Sequence, residues 1–225
     1  MPWYILALTV LCLCCTVALI FLKAFKVGNR RRGVVKMLTA VCFLAIGVVG
    51  CIQRQGGPSV LLAVGLLFAA LGDFCLVFMD DKRWFLAGVL SFSGASLTLS
   101  IYSLAEYSSV WQRGWIWLAL GVFALVAIGN VLGQKTKLYS FGKFFLPLNV
   151  YTVLVGLCGS LGLTLCCLSA TNTKMLLYGL GCLMYFLSDV CLGLYMFKLH
   201  NRVVDAVNTA LYFPGMLLIA LSLVV

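Results

Sequence analysis

Charge is scarce in this chain. Only 10% of its 225 residues are charged, and just six of these are acidic against sixteen lysines and arginines. A soluble domain keeps about a quarter of its residues charged, so an ordinary water-facing surface is excluded. Histidine occurs once, at His200 in a connecting segment, which removes mixed cysteine–histidine zinc sets and histidine-activated nucleophiles from consideration. No G-x-S-x-G elbow is present, so no serine is marked as a nucleophile. Period-2 alternation is missing too, which speaks against a membrane β-barrel.

Long apolar runs are what the chain has in abundance. Hydrophobic residues make up 64% of it, and the mean hydropathy is +1.12. A helical span needs about 20 mostly apolar residues. Eight such stretches lie end to end, at 3–22, 34–51, 59–79, 84–104, 114–133, 145–168, 174–197 and 207–225. The expected fold is an all-α polytopic membrane protein, with residues 1–225 forming one eight-span domain.

The basic residues orient these spans, because short cytoplasmic loops collect Lys and Arg. Lys23, Lys26, Arg30, Arg31, Arg32, Lys36, Lys82, Arg83, Lys135, Lys137, Lys143, Lys198 and Arg202 fall at alternate connections, leaving Arg54, Arg113 and Lys174 for the other side. Both termini are therefore expected outside. The net charge of +10 reads as topology and as attraction for anionic lipid headgroups at 23–36, with no nucleic-acid partner. The first run has its charges after it instead of before it, so it is expected to remain as a span and not to be a signal peptide. The eleven cysteines all lie in or beside apolar stretches and read as small packing residues, with no metal or cofactor expected.

Against this background two carboxylates stand out. Asp73 and Asp189 are set in GLLFAALGDFCLVFM (65–79) and GCLMYFLSDVCLGLY (181–195). Each lies eight positions after a glycine, follows a small residue and precedes Cys-Leu. Placing a carboxylate inside a membrane costs at least about 2.5 kcal/mol, so such a residue marks a functional site by default. The segments are 116 residues apart, half the chain, which suggests a parallel repeat of four plus four helices with halves near 1–110 and 111–225.

Both aspartates fall in the inner half of their spans. So do Lys36, Thr39, Asn149, Tyr151, Asn208, Thr209 and Tyr212, whereas the outer halves read as plain Leu, Val, Ala and Phe, which argues against a through-pore. Asp80, Asp81, Glu106 and Asp205 read as solvated loop acids.

The order of these pieces resembles the YhhN-like membrane proteins, the lysoplasmalogenases. The matching pieces are Lys36 opening the second span, LLFAALGD ending at Asp73, Phe85-x-x-Gly88 and Phe92, Pro147-x-x-x-Tyr151, LSD ending at Asp189, and Tyr212 followed by LLIALS at 217–222. Three positions depart from the family pattern: Met37 stands for a proline, Ser96 for a histidine and Met216 for a glutamine. The resemblance implies hydrolysis of the vinyl-ether bond of a lysoplasmalogen, releasing a fatty aldehyde and a glycerophospho-ethanolamine or -choline.

Such hydrolysis starts with a proton delivered to carbon, as in the acid and carboxylate pair of glycoside hydrolysis. Asp73 and Asp189 are the candidates for acid and for base or cation stabiliser, in either order. Lys36 is expected to hold the lipid phosphate, Tyr151 and Tyr212 to orient carboxyl or water, and Asn149, Asn208 and Ser96 to complete a substrate-binding set. Two other classes fit the same residues: a proton-coupled carrier, since carriers also use intramembrane acids, and a catalytically silent lipid-binding relative.

Overall fold

The computed structural model describes residues 2–25, 28–54, 56–78, 80–136, 141–169, 172–199 and 201–225. Lys26, Lys137 and His200 lie outside the described residues.

In lipid the backbone has no water to bond, so an apolar run of span length has one regular solution, the helix. Among the described residues eight long helices result: α1 (Trp3–Ala24), α2 (Asn29–Arg54), α3 (Gly57–Val77), α4 (Lys82–Glu106), α5 (Ile116–Lys135), α6 (Phe145–Leu168), α7 (Thr173–Leu194) and α8 (Arg202–Leu221). A π turn, Tyr195–Leu199, extends α7, and another, Trp111–Trp115, leads into α5. All eight spans are long and apolar enough to cross a membrane, and the chain is an integral multi-pass membrane protein.

Polar caps lengthen several helices beyond their apolar cores. Asn201 accepts from the Val203 amide, so α8 starts five residues before the apolar run expected at 207. That places Asp205 in the first turn of a helix and not in a loop. Asp81 caps α4 through the Arg83 amide, and Asn172 caps α7 through the Met175 amide. Before α5 the chain turns at Gly114, whose φ of 88° lies in the left-handed region open to glycine.

The helices close into a ring. α1 packs on α2, α2 on α3, α3 on α4, α4 on α6, α6 on α7, α7 on α8 and α8 back on α1, while α5 packs chiefly on α6. Of the residues of α5 only Ala119 and Gly133 are buried. The four-plus-four repeat is not established by this arrangement, because α1 is a member of the ring and its expected counterpart α5 is an outlier.

Close approaches fix α7 in place. A Cβ on Gly179 would stand 2.7 Å from the Gly162 carbonyl oxygen of α6, and one on Gly181 would stand 2.7 Å from the Gly215 carbonyl oxygen of α8. Small residues let membrane helices gain dispersion contact in this way. α7 is thus clamped on both sides two turns before Asp189.

Candidate functional site

Asp73 is 1% exposed, on the face of α3 turned to the ring interior. Its Oδ1 lies 3.0 Å from the Lys36 Nζ of α2, and its Oδ2 accepts a hydrogen bond of 2.8 Å from the Tyr212 hydroxyl of α8. A buried carboxylate with a cation on one oxygen and a hydroxyl on the other has its charge compensated on both sides. Lys36, expected to wait for a phosphate, is therefore committed to Asp73, although a fifth of its side chain stays exposed to the cavity.

Asp189 has a different setting. No cation pairs with it among the described residues, and its Oδ2 is buried with no hydrogen-bond partner. Its neighbours are hydroxyls: Tyr151 of α6 stands beside both Asp189 and Tyr185. Tyr185 in turn lies 3.0 Å, oxygen to oxygen, from Ser96 of α4. The rings of Phe92, Tyr151, Tyr185 and Tyr212 wall this group, with Phe92 6.0 Å from Tyr212 and 6.5 Å from Tyr151 between centroids.

Both aspartates line one cavity of about 220 Å³ at the end of the bundle where the basic residues gather. Lys23, Arg32, Lys36, Asp80, Asp205 and Asn208 also line it. Inside it Lys23 reaches the Asp205 Oδ1 at 2.6 Å and the Thr209 hydroxyl at 2.7 Å. Asp205 is therefore an ion-pair partner and not a solvated acid. The same correction holds for Glu106, which pairs with Lys174 at the opposite end of the bundle.

A second cavity of about 210 Å³ lies between α4, α6 and α7, lined by apolar side chains such as Phe85, Val89, Leu148, Val155 and Phe186. Asp189, Phe92, Leu76, Leu192 and Met196 line both cavities. The Asp189 carboxyl thus sits where a charged chamber meets a greasy one.

The remaining expected residues are placed as follows. Tyr151 lines the apolar chamber, and Tyr212 and Asn208 line the polar one. Ser96 is fully buried behind Tyr185 and donates to the Phe92 carbonyl, so it touches the site only through that tyrosine. Asn149 is not among the residues lining either cavity. Its Oδ1 accepts from Asn130 at 3.2 Å and Gln134 at 2.8 Å, tying α6 to α5, and its amide donates to the Phe145 carbonyl.

Tyr185, Lys23, Asp205 and Thr209 went unremarked as site residues in the sequence. Tyr185 carried a signal, since it precedes Asp189 by four positions and so shares its helix face. The other three meet only because α1 closes on α8.

The family model described as the YhhN family matches residues 31–223. That match covers most of the chain and takes in every residue of the two carboxylate settings, so the chain belongs to the YhhN family. Comparison with curated proteins and with solved structures gave no match.

Proposed function

We propose, from membership in the YhhN family as the premise, that this protein is a lysoplasmalogenase-type hydrolase of the vinyl-ether bond. The observation that carries the reading is the position of Asp189 at the junction of the two chambers. A single-chain phospholipid has a charged head, one tail and a scissile bond between them, and that division matches the division of the cavity. In this reading the headgroup phosphate meets Arg32 and the cavity-exposed parts of Lys23 and Lys36 in the polar chamber, Asn208 lies at its wall, and the alkenyl chain fills the apolar one. Entry is lateral, from the leaflet facing the basic loops, which are cytoplasmic by the charge rule with both termini outside.

The two carboxyls then divide the labour that the sequence left open. Asp189, with no cation and an unpaired buried oxygen, is the neutral carboxyl and the acid. It passes its proton to the vinyl carbon remote from the ether oxygen, leaving an oxocarbenium ion. Asp73, ion-paired to Lys36 and bonded to Tyr212 on the wall of the same cavity, is the carboxylate that stabilises that cation. Water adds to the carbon bearing the ether oxygen and returns a proton to Asp189. The hemiacetal collapses to the glycerophospho alcohol and the fatty aldehyde, so atoms and protons balance. Tyr151 orients Asp189, and Tyr185 with Ser96 holds Tyr151.

The test is purified protein in detergent, given lysoplasmalogen and assayed for free aldehyde. Release above a no-protein control supports the reading. A carrier would act only in sealed vesicles, and a silent relative would bind lipid and release none.

A further inference from the structure

One face of α4 turned to the ring interior carries hydroxyls along most of its length. Ser93, Ser96, Ser100 and Ser103 recur at helical spacing, and all are at least nine-tenths buried. From Ser96 to Ser103 is about 10 Å of helix, directed away from the carboxylates towards the end that holds Glu106 and Lys174. This departs from the plain outer half expected of the spans.

Three hydroxyls at the far end of this face have no partner within hydrogen-bond distance among the described residues: Ser103, 1% exposed, together with Tyr102, 0%, and Tyr107, 6%, whose two hydroxyls stand near each other and near no other polar side chain that could satisfy both. They lie together. The Tyr102 and Tyr107 rings are 6.3 Å apart, and Tyr178 of α7 stacks against both at 4.9 and 5.8 Å. The Tyr178 hydroxyl donates its proton to the Leu99 carbonyl at 2.6 Å, and the Ser103 carbonyl accepts from both the Trp111 indole at 2.9 Å and the Tyr107 amide at 3.1 Å, so that hydroxyl has no proton and that carbonyl no lone pair left to offer the three. Buried polar groups left unpaired cost stability, and natural proteins satisfy such clusters with bound water making two to four hydrogen bonds.

We infer that Tyr102, Ser103 and Tyr107 hold buried water, and that the α4 hydroxyl face leads this water through Ser100 and Ser96 towards Asp189. The inference rests on the hydrolase reading for its purpose and on the orphaned hydroxyls for its existence. Each turnover consumes one water. A lipid headgroup seated in the polar chamber covers the approach from the basic end, so a supply from the opposite end lets hydrolysis proceed with the substrate in place. The Glu106 and Lys174 pair, Glu106 partly exposed and Lys174 buried beneath it, marks that outer end.

Radiolytic hydroxyl-radical footprinting of the detergent-purified protein tests the site without relying on activity, because radicals formed from bound water label side chains beside it. Tyr102 and Tyr107 are expected to be labelled well above Phe43, which is equally buried at 0%. Labelling no greater than that of Phe43 overturns the inference. The sign of the stability change in Ser103→Ala gives a second readout. Losing a hydrated hydroxyl lowers the thermal midpoint, whereas losing a dry unpaired one raises it, and a rise overturns the site. For the supply role, Ser100→Val should lower kcat for aldehyde release about fivefold with KM unchanged. Footprinting as expected with an unaltered kcat would leave the water site standing and overturn its delivery to Asp189. Absence of aldehyde release by the unmutated protein would overturn the hydrolase reading and the delivery role with it, while the footprint still decides the water site.

Discussion

Asp73 and Asp189 share the pattern of a glycine eight positions before and Cys-Leu just after, yet one is paired on both oxygens by Lys36 and Tyr212 while the other keeps an unpaired buried oxygen among tyrosines. The difference comes from the neighbouring helices. α3 meets α2, which brings a lysine, and α7 meets α6, which brings Tyr151. Similar local sequence therefore yields an ion-paired carboxylate in one place and one with an unpaired oxygen in the other.

The largest expected effect tests the acid role proposed for Asp189. Asp189→Asn keeps the shape of the side chain and removes its proton, and general acids typically contribute 10²- to 10⁴-fold. Aldehyde release should fall by that order, with the thermal midpoint unchanged or raised. Full activity in this variant would return Asp189 to a structural role.

Asp73→Asn should instead register in stability as well as in rate. It leaves the Lys36 ammonium without its partner in a mostly buried position, at a cost of about 2–4 kcal/mol, discounted for the part of Lys36 that water reaches. The double variant Asp73→Asn, Lys36→Met should recover much of the lost thermal midpoint. If the single variant is as stable as the parent, the two carboxylates are not as different as the geometry makes them.

A smaller effect tests the clamp on α7. Gly181→Ala forces a Cβ to within 2.7 Å of the Gly215 carbonyl oxygen and should cost about 1–3 kcal/mol through the separation of α7 from α8. Gly121→Ala, on α5 with nothing within 4 Å, should change the midpoint little and in the stabilising direction. Equal effects at the two positions would contradict the packing of both helices.

The smallest concerns positioning. Tyr185→Phe removes the hydroxyl that links Ser96 to the Tyr151 and Asp189 group, worth about 1 kcal/mol. A fall of about fivefold in kcat with KM unchanged is expected. A shift in KM alone would assign Tyr185 to the binding wall.

Eight spans and two carboxylates were readable in the sequence because hydropathy and charge are properties of single segments. What the carboxylates face was not. The Lys36 partner of Asp73 sits 37 positions earlier on another helix, and the partners of Asp205 and Glu106 are 182 and 68 residues distant. Those two acids read as solvated because nothing local says otherwise. Asn149 read as a site residue by depth alone, but depth does not say which way a helix face turns. The α4 hydroxyls did carry a local signal, a three-and-four spacing from Ser93 to Tyr107, that a reading by average polarity passes over.

The placement of α5 bears on how the protein is made. The ribosome finishes α5 before α6, yet α6 is the helix it packs against, so the nascent α5 has to stand alone in lipid until its partner is threaded. Its composition suits that wait, being more apolar than the α4 made before it and nearly free of buried side chains in the finished protein. α4, with its buried serines, can lean on α3 as soon as it emerges. On this packing α5 gains its partner when α6 takes the place beside α4, and the ring closes only when α8 reaches α1.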